Sequence, residues 1–395
     1  MDSTQYEYLR VNKYLLSATG TWPYQTIVPK IIFGIVFLLT AGAQAFLQIG
    51  GMIAAAVDGD SEAVLESFAP VTISLMCSSK YINFFFNYNQ MKRMLDVMRD
   101  DWHIYKKVET EYEVLCAQYA IGKTLTVGLT VILLGLVTPF SALPLMMNIA
   151  DGLGLFNMTD RPLAFRVEHF VDVDKYYYVL LVHSYCGTIV FTTVVIGIDA
   201  MIAVYVMHEC GLCEILRVKL ENFVEGDGLE VELYPGKYED RWYRNARECV
   251  ILHKHIIEFG KMLEGANTKS YLVQLGLNMI CVSFTQFQAA INLEQDFAMV
   301  LRYVSVTISL LFDLLFLSWP GQQLSDYTER ILQNTMNAKW HLSSISCRKL
   351  LLIMMLRSMT PLKLTAYTMY TMNLESFSTV ARTSFSYTMV LMSMQ

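Results

Sequence analysis

Three fragments of the sequence have residue types and spacings that chemistry could use. Gly122-Lys123-Thr124 has the ending of a phosphate-binding loop, in which backbone N–H groups cradle phosphates and the lysine reaches them. Ala117 stands where that loop needs its first glycine, and the fragment opens an apolar helix instead of following a strand. Cys210 and Cys213 have the spacing of a zinc half-site with His208 beside them, but a structural site takes four ligands and no second pair follows. His253 and His255 are two apart, which puts them on different faces of a helix. HExxH and GxSxG are absent. The sequence therefore nominates no catalytic residue, no metal site and no cofactor, and it is not read as an enzyme.

Other polar groups stand out by where they lie. Lys80, Asp199 and Asp313 fall within long apolar blocks, where a charge costs roughly 3 kcal/mol at a helix centre. Lys80 is near the end of its block and reads as snorkelling towards water. The two aspartates read as buried against neighbouring helices or water, in preference to a proton relay. The final block is rich in hydroxyls, and helical spacing sets Thr379, Thr383, Ser386, Val390 and Met394 along one face. A hydroxyl column ending in apolar residues suits a water-filled conduit closed by dewetting. It equally suits hydroxyls that bond their own i−4 carbonyls or a neighbouring helix. One chain supplies one such helix, so a pore on an axis requires an oligomer.

The elements that would position these groups follow from composition. Of 395 residues 54% are hydrophobic and 17% charged, against about a quarter charged in soluble domains. A soluble enzyme and a disordered chain are both disfavoured, and a dispersed net charge of -6 gives no basis for nucleic-acid binding. The apolar residues form seven blocks near the roughly 20 residues that cross a bilayer as helix: 31–53, 64–86, 125–147, 176–206, 271–293, 297–319 and a weaker 373–394. Backbone groups in lipid must be satisfied within the segment, so the reading is an all-α membrane protein with seven transmembrane helices.

Lys and Arg alternate between the connecting segments, and 24 of 30 fall on one side. The positive-inside rule then puts the N-terminus in the cytoplasm and the C-terminus outside. This is opposite to a metabotropic seven-helix receptor. A transporter would show repeated halves with broken helices, and none is evident. None of the eight cysteines falls in an outer loop, so no structural disulfide is expected. The N-terminal 26 residues lack the features of a secretory signal. Asn157-Met158-Thr159 is a possible glycosylation site in the third loop.

The C-terminal part carries a resemblance. Trp319-Pro320-Gly321-Gln322-Gln323-Leu324-Ser325 followed by Trp340, then Arg357 and Pro361, then Phe377, Arg382 and Ser386-Tyr387, is similar to insect odorant receptors over about residues 319–395. The resemblance implies an odorant-gated, non-selective cation channel in the plasma membrane of sensory neurons. It implies a tetramer whose last helices line a central pore, with Val390 and Met394 at the apolar gate. The layout would be a cytoplasmic segment (1–30), six helices with the ligand pocket (31–319), a cytoplasmic anchor (320–372) and the pore helix (373–395). The modest fourth loop, with a flexible turn at Glu225-Gly226-Asp227-Gly228, marks a tuning subunit that partners a shared co-receptor.

Related receptors hold a small volatile ligand among helices two, three, four and six. Helical spacing then nominates Pro70, Ile73, Ser74 and Cys77; Ile132, Gly135 and Pro139; His183, Ser184 and Gly187; and Tyr303 with Val306. A gustatory receptor of related architecture is the nearest alternative. The topology is tested with epitope tags on intact cells. A C-terminal tag should stain without permeabilisation and an N-terminal tag only after it; external N-terminal staining would sink the assignment.

Overall fold

The chain enters several helices at short polar side chains that serve the free N–H groups of the first turn. Asp60 accepts from the Ala63 N–H at 3.0 Å at the head of α4 (Ser61–Phe86). Asp240 does the same for Tyr243 at 2.8 Å at the head of α8 (Arg241–Ile291), and Ser344 for Cys347 at 3.2 Å before α10 (Ile345–Ser358). A computed structural model of the protein describes residues 3–153, 173–223, 233–234, 240–294 and 297–393. Asn157, Met394 and the turn at 225–228 lie outside the described residues.

The remaining helices are α1 (Ser3–Ala18), α2 (Ile27–Phe37), α3 (Ala43–Asp58), α5 (Tyr88–Tyr105), α6 (Glu109–Gly152), α7 (Val173–Glu221), α9 (Phe297–Asn337) and α11 (Leu374–Ser393). A π-helical turn, Leu38–Gly42, joins α2 and α3 into one rod. Among the described residues the fold is all-helical apart from a hairpin of two-residue strands that the sequence reading did not anticipate, β1 (Thr365–Ala366) against β2 (Tyr370–Thr371). Tyr367 and Thr368 take positive φ at its turn, as a tight hairpin demands.

Four stretches among the described residues are long and apolar enough to cross a bilayer: Ile27–Asp58, Glu109–Thr138, Lys175–Glu221 and Met299–Asn337. They overlap the first, third, fourth and sixth expected blocks. The other three blocks are helical, in α4, α8 and α11, but more polar. In α8 the polarity is used between helices: Asn278 donates to the Leu310 carbonyl at 3.0 Å, and Thr285 meets Thr307 at 2.8 Å.

With 44, 49, 51 and 41 residues, α6 to α9 are each roughly twice as long as a bilayer core is thick, at about 1.5 Å per residue. Their overhanging ends gather with α1, α5 and α10 into a second bundle, and most of the buried core lies there. α5 shows why. Met91, Met94, Leu95, Met98, Trp102 and Tyr105 are buried at helical spacing, while Lys92, Arg93 and Arg99 face out. Each such buried side chain contributes about 1.5–3 kcal/mol. Trp102 packs edge-on against Tyr119 and Tyr112 of α6, with ring centres 5.0 and 5.5 Å apart.

A polar knot sits inside this bundle. Asp101 of α5 accepts from His208 of α7 at 3.0 Å and from His255 of α8 at 2.9 Å. Burial alone would raise the Asp101 carboxyl, but the hydrogen bonds from the two histidines outweigh it and bring it down to about 2. The same contact raises His255 above its ordinary value. The lowered carboxyl contributes stability above its unfolded pKa of about 3.9, lost as pH falls through the folded value. The raised imidazole contributes stability that is full below about 6.5 and lost as pH rises through its folded value. His255 should therefore add a fall in melting temperature from pH 6 to pH 8, against the rise that His253 adds because burial holds its imidazole down to about 4, and His255→Gln should remove that fall. An unchanged slope in the variant would remove His255 as its source.

Candidate functional site

The apolar half of the molecule encloses a cavity of about 180 Å³ between α3, α4, α6, α7 and α9. α4 contributes Ala69, Pro70, Ile73, Ser74, Met76 and Cys77; α6 contributes Leu133, Leu136 and Val137. α7 adds Thr188, Phe191, Thr192 and Val195, and α9 adds Tyr303, Val306, Ser309 and Leu310. Pro70 lies inside α4 and has no N–H to donate, and Glu66, one turn earlier, also borders the space.

Most wall hydroxyls are tied back to their own helices. Thr188 donates to the Ser184 carbonyl and Thr192 to the Thr188 carbonyl, each at 2.8 Å, and Ser309 to the Ser305 carbonyl at 2.8 Å. This leaves the walls mainly apolar, the usual character of a small-molecule site. α3 adds Gln44 and Gln48, and Gln48 accepts from the Ser74 hydroxyl at 2.5 Å.

One end of the cavity is ionic. Lys80 of α4 reaches Asp199 of α7 at 2.5 Å and Asp313 of α9 at 3.0 Å. All three are buried, with Lys80 only 2% exposed. The expectation that Lys80 snorkels is thus corrected: two carboxylates hold it inside. The aspartates do lie between helices, as expected.

The expected ligand residues divide. Pro70, Ile73, Ser74, Cys77, Tyr303 and Val306 line the cavity. Ile132 and Gly135 face outward from α6, about 100° from Leu133 and Leu136, one helical residue being the whole difference. The side chain of Pro139 lies outside the described residues. His183 instead approaches the Leu39 carbonyl at 3.4 Å in the π-helical turn, and Ser184 is buried and offers its carbonyl to Thr188. Gly187 was nominated with them, but the Gln44 amide fills the space beside it. The first transmembrane rod was missed altogether. Its signal was Gln44 and Gln48, two amides at i and i+4 in an apolar run.

The hydroxyl column is arranged differently from its neighbours on α11. Val380, Ser384 and Thr388 are the buried residues of the helix, and Thr388 donates to the Ser283 carbonyl of α8 at 3.1 Å. Thr379, Ser386 and Val390 are exposed and Thr383 half-buried, roughly a third of a turn away. Thr379, Thr383 and Ser386 donate to the carbonyls of Glu375, Thr379 and Arg382. With their protons committed to the backbone, these hydroxyls turn oxygen lone pairs outward.

The Trp319–Leu324 run ties α9 to the root of α11. A Cβ at Gly321 would stand 2.1 Å from the Met372 carbonyl oxygen, so only glycine permits that approach. Gln322 accepts from the Leu374 N–H at 3.4 Å and donates to Asp326 at 2.7 Å. Tyr370 of the hairpin donates to the Ser376 carbonyl.

Other fragments have structural duties. Gly122 of α6 faces Val204 and Met207 of α7, and Thr124 donates to the Ala120 carbonyl. Cys210 and Cys213 are buried thiols, and the nearby His208 turns to Asp101 and Tyr119.

Comparison with known proteins settles the family. The family described as 7tm Odorant receptor matches residues 60–385, most of the chain. The chain belongs to the odorant receptor family. It is a receptor of multi-pass membrane type and not an enzyme. It is 22% identical over 253 residues to Odorant receptor 13a of Drosophila melanogaster, a match spanning 60% of this chain and 59% of that protein. Its fold is similar to the insect olfactory receptor OR5 from Machilis hrabei, with a TM-score of 0.80, 14% identity and 98% of both chains covered. The same receptor in complex with eugenol aligns with a TM-score of 0.78 over 98% of both chains, at 14% identity.

Breaking a buried ion pair from one side costs about 3–5 kcal/mol, because the surviving charge is stranded. Lys80→Met should therefore lower the melting temperature of detergent-solubilised receptor sharply. Adding Asp199→Asn and Asp313→Asn should recover most of the loss. If Lys80→Met melts like the parent, the three charges do not hold the helices together.

Proposed function

We propose that this receptor is a subunit of an odorant-gated, non-selective cation channel in the plasma membrane of sensory neurons. It would have seven spans, a cytoplasmic N-terminus and an external C-terminus. A small volatile ligand would bind in the cavity among α4, α6, α7 and α9, joined by α3. The pore would be lined by α11 in a tetramer completed by a co-receptor subunit, and the overhanging bundle with α10 would be its cytoplasmic anchor.

The observation that carries this reading is the connection between cavity and last helix. α9 forms one wall of the cavity and supplies Asp313 to its ionic end; further along, its Gly321 and Gln322 meet the segment that leads into α11. A ligand that prefers one position of α9 thereby biases α11, which is the differential affinity any gating ligand needs. The cavity also suits a volatile. An apolar cavity of about 150 Å³ takes benzene, so this one suits a ligand of one ring or a short chain. The eugenol complex of the Machilis receptor supports a small organic ligand. The outward lone pairs of Thr379, Thr383 and Ser386, followed by Val390, support a hydrated path with an apolar closure. Met394 would extend that closure, and Asn157 would carry a glycan.

Whole-cell recording with G-protein signalling blocked tests the proposal. The receptor with its co-receptor should give a fast cation current to some member of a volatile panel. Silence from receptor whose surface delivery is verified counts against it. Val390→Ser should wet the closure and raise ligand-free current several-fold. If basal current and ion permeability both stay unchanged, Val390 does not line the path.

A further inference from the structure

Gln44 lies on α3, a wall of the cavity from which the sequence nominated no residue. It is 3% exposed, and its amide oxygen is wholly enclosed with no hydrogen-bond partner. Among the described residues it is the one such stranded atom on the cavity wall. A buried amide without partners is unfavourable, and proteins rarely keep one without a use. The other polar groups of the wall are engaged: Gln48 with Ser74, Lys80 with Asp199 and Asp313, Thr188, Thr192, Ser305 and Ser309 with their own helices, and Glu66 and Arg302 with partners of their own.

The seat of this amide is built for it. A Cβ at Gly187 would stand 1.6 Å from Gln44 Oε1 and 2.8 Å from Cδ, so the absence of a side chain on α7 leaves the space the amide occupies. The terminal torsion of glutamine is soft, and half a turn exchanges its oxygen and its N–H₂. The group can therefore turn an acceptor or a donor towards the cavity without moving α3.

We propose that Gln44 is a specificity determinant that selects ligands carrying a hydrogen-bonding oxygen, an alcohol, phenol or carbonyl, over hydrocarbons of the same shape. The ionic end is closed on itself, and the remaining walls offer mostly apolar contact. A hydroxyl or carbonyl reaching the α3 wall gives the stranded amide its partner, whereas a hydrocarbon leaves it unpaired. This rests on the cavity being the ligand site.

The test uses an alcohol, a ketone and the parent hydrocarbon of one carbon skeleton, applied to receptor with co-receptor. Gln44→Met keeps the length and removes the polarity. Its half-maximal concentration for the alcohol and the ketone should rise about tenfold or more, while that for the hydrocarbon stays level or falls. Gly187→Ala, which displaces the amide from its seat, should reproduce the pattern. Equal shifts for all three ligands, or no shift, overturn the proposal. Ile73→Trp separates the two levels, with surface delivery verified for each variant. If it leaves responses intact, the cavity is not the ligand site. If it abolishes them while Gln44→Met treats the three ligands alike, the cavity stands and the role of Gln44 falls.

Discussion

Lys80 is the point at which three helices of the apolar half are brought to agreement. An ammonium in that setting is tolerable only with carboxylates in contact, and its two partners come from α7 and α9. Sliding any of the three helices by one residue would part the charges, so the ion cluster sets their register where apolar packing alone would tolerate several. The cavity depends on that register. Its α4, α7 and α9 walls are the continuations of the helices the cluster joins, and two of the cluster's three members border the space.

The second organising constraint is length. Helices that outrun the bilayer thickness twofold must find another surface for their far ends, and here they find one another. The aromatic packing around Trp102 and the histidine–aspartate knot belong to that far bundle. The apolar half is left comparatively open: the α2–α3 rod is largely unburied along its most apolar stretch, whereas α7 runs through the middle. α11 joins both regimes, docked on α8 by one face, rooted on α9 at its base, and free along the face that carries its hydroxyl column.

Much of this was legible in the sequence, for reasons that can be located. Long apolar runs gave the helices of the spans, because backbone hydrogen bonds in lipid leave no alternative. The residues expected on α4 and α9 border the cavity, within about three turns of Lys80 and Asp313, charges that mark the phase of those helices. α6 offered no such mark, and on α7 Asp199 stands more than about three turns from Gly187. Gly135 sits on the outer surface, and Gly187 receives a side chain from another helix. Whether a glycine makes a void or a seat depends on the partner opposite, which no local spacing encodes. Lys80 was misjudged for the same reason: a lysine near a block end looks mobile until its two carboxylates, 119 and 233 residues away, are seen beside it. The hairpin before α11 was invisible because its strands are two residues long.

The division between a densely packed far bundle and a sparsely packed apolar half bears on what a substitution does in each. The buried apolar residues of the cavity wall, such as Ala69, Met76, Leu133 and Phe191, belong to small clusters apart from the large core at the other end. Changing their size alters the shape of the space without reaching the aromatic packing around Trp102. The root of α11 has the opposite character, since a single methyl group at Gly321 would collide with the Met372 carbonyl. The two stretches of α9 are thus unequally forgiving, an apolar wall along one and, along the other, a backbone contact that admits only glycine.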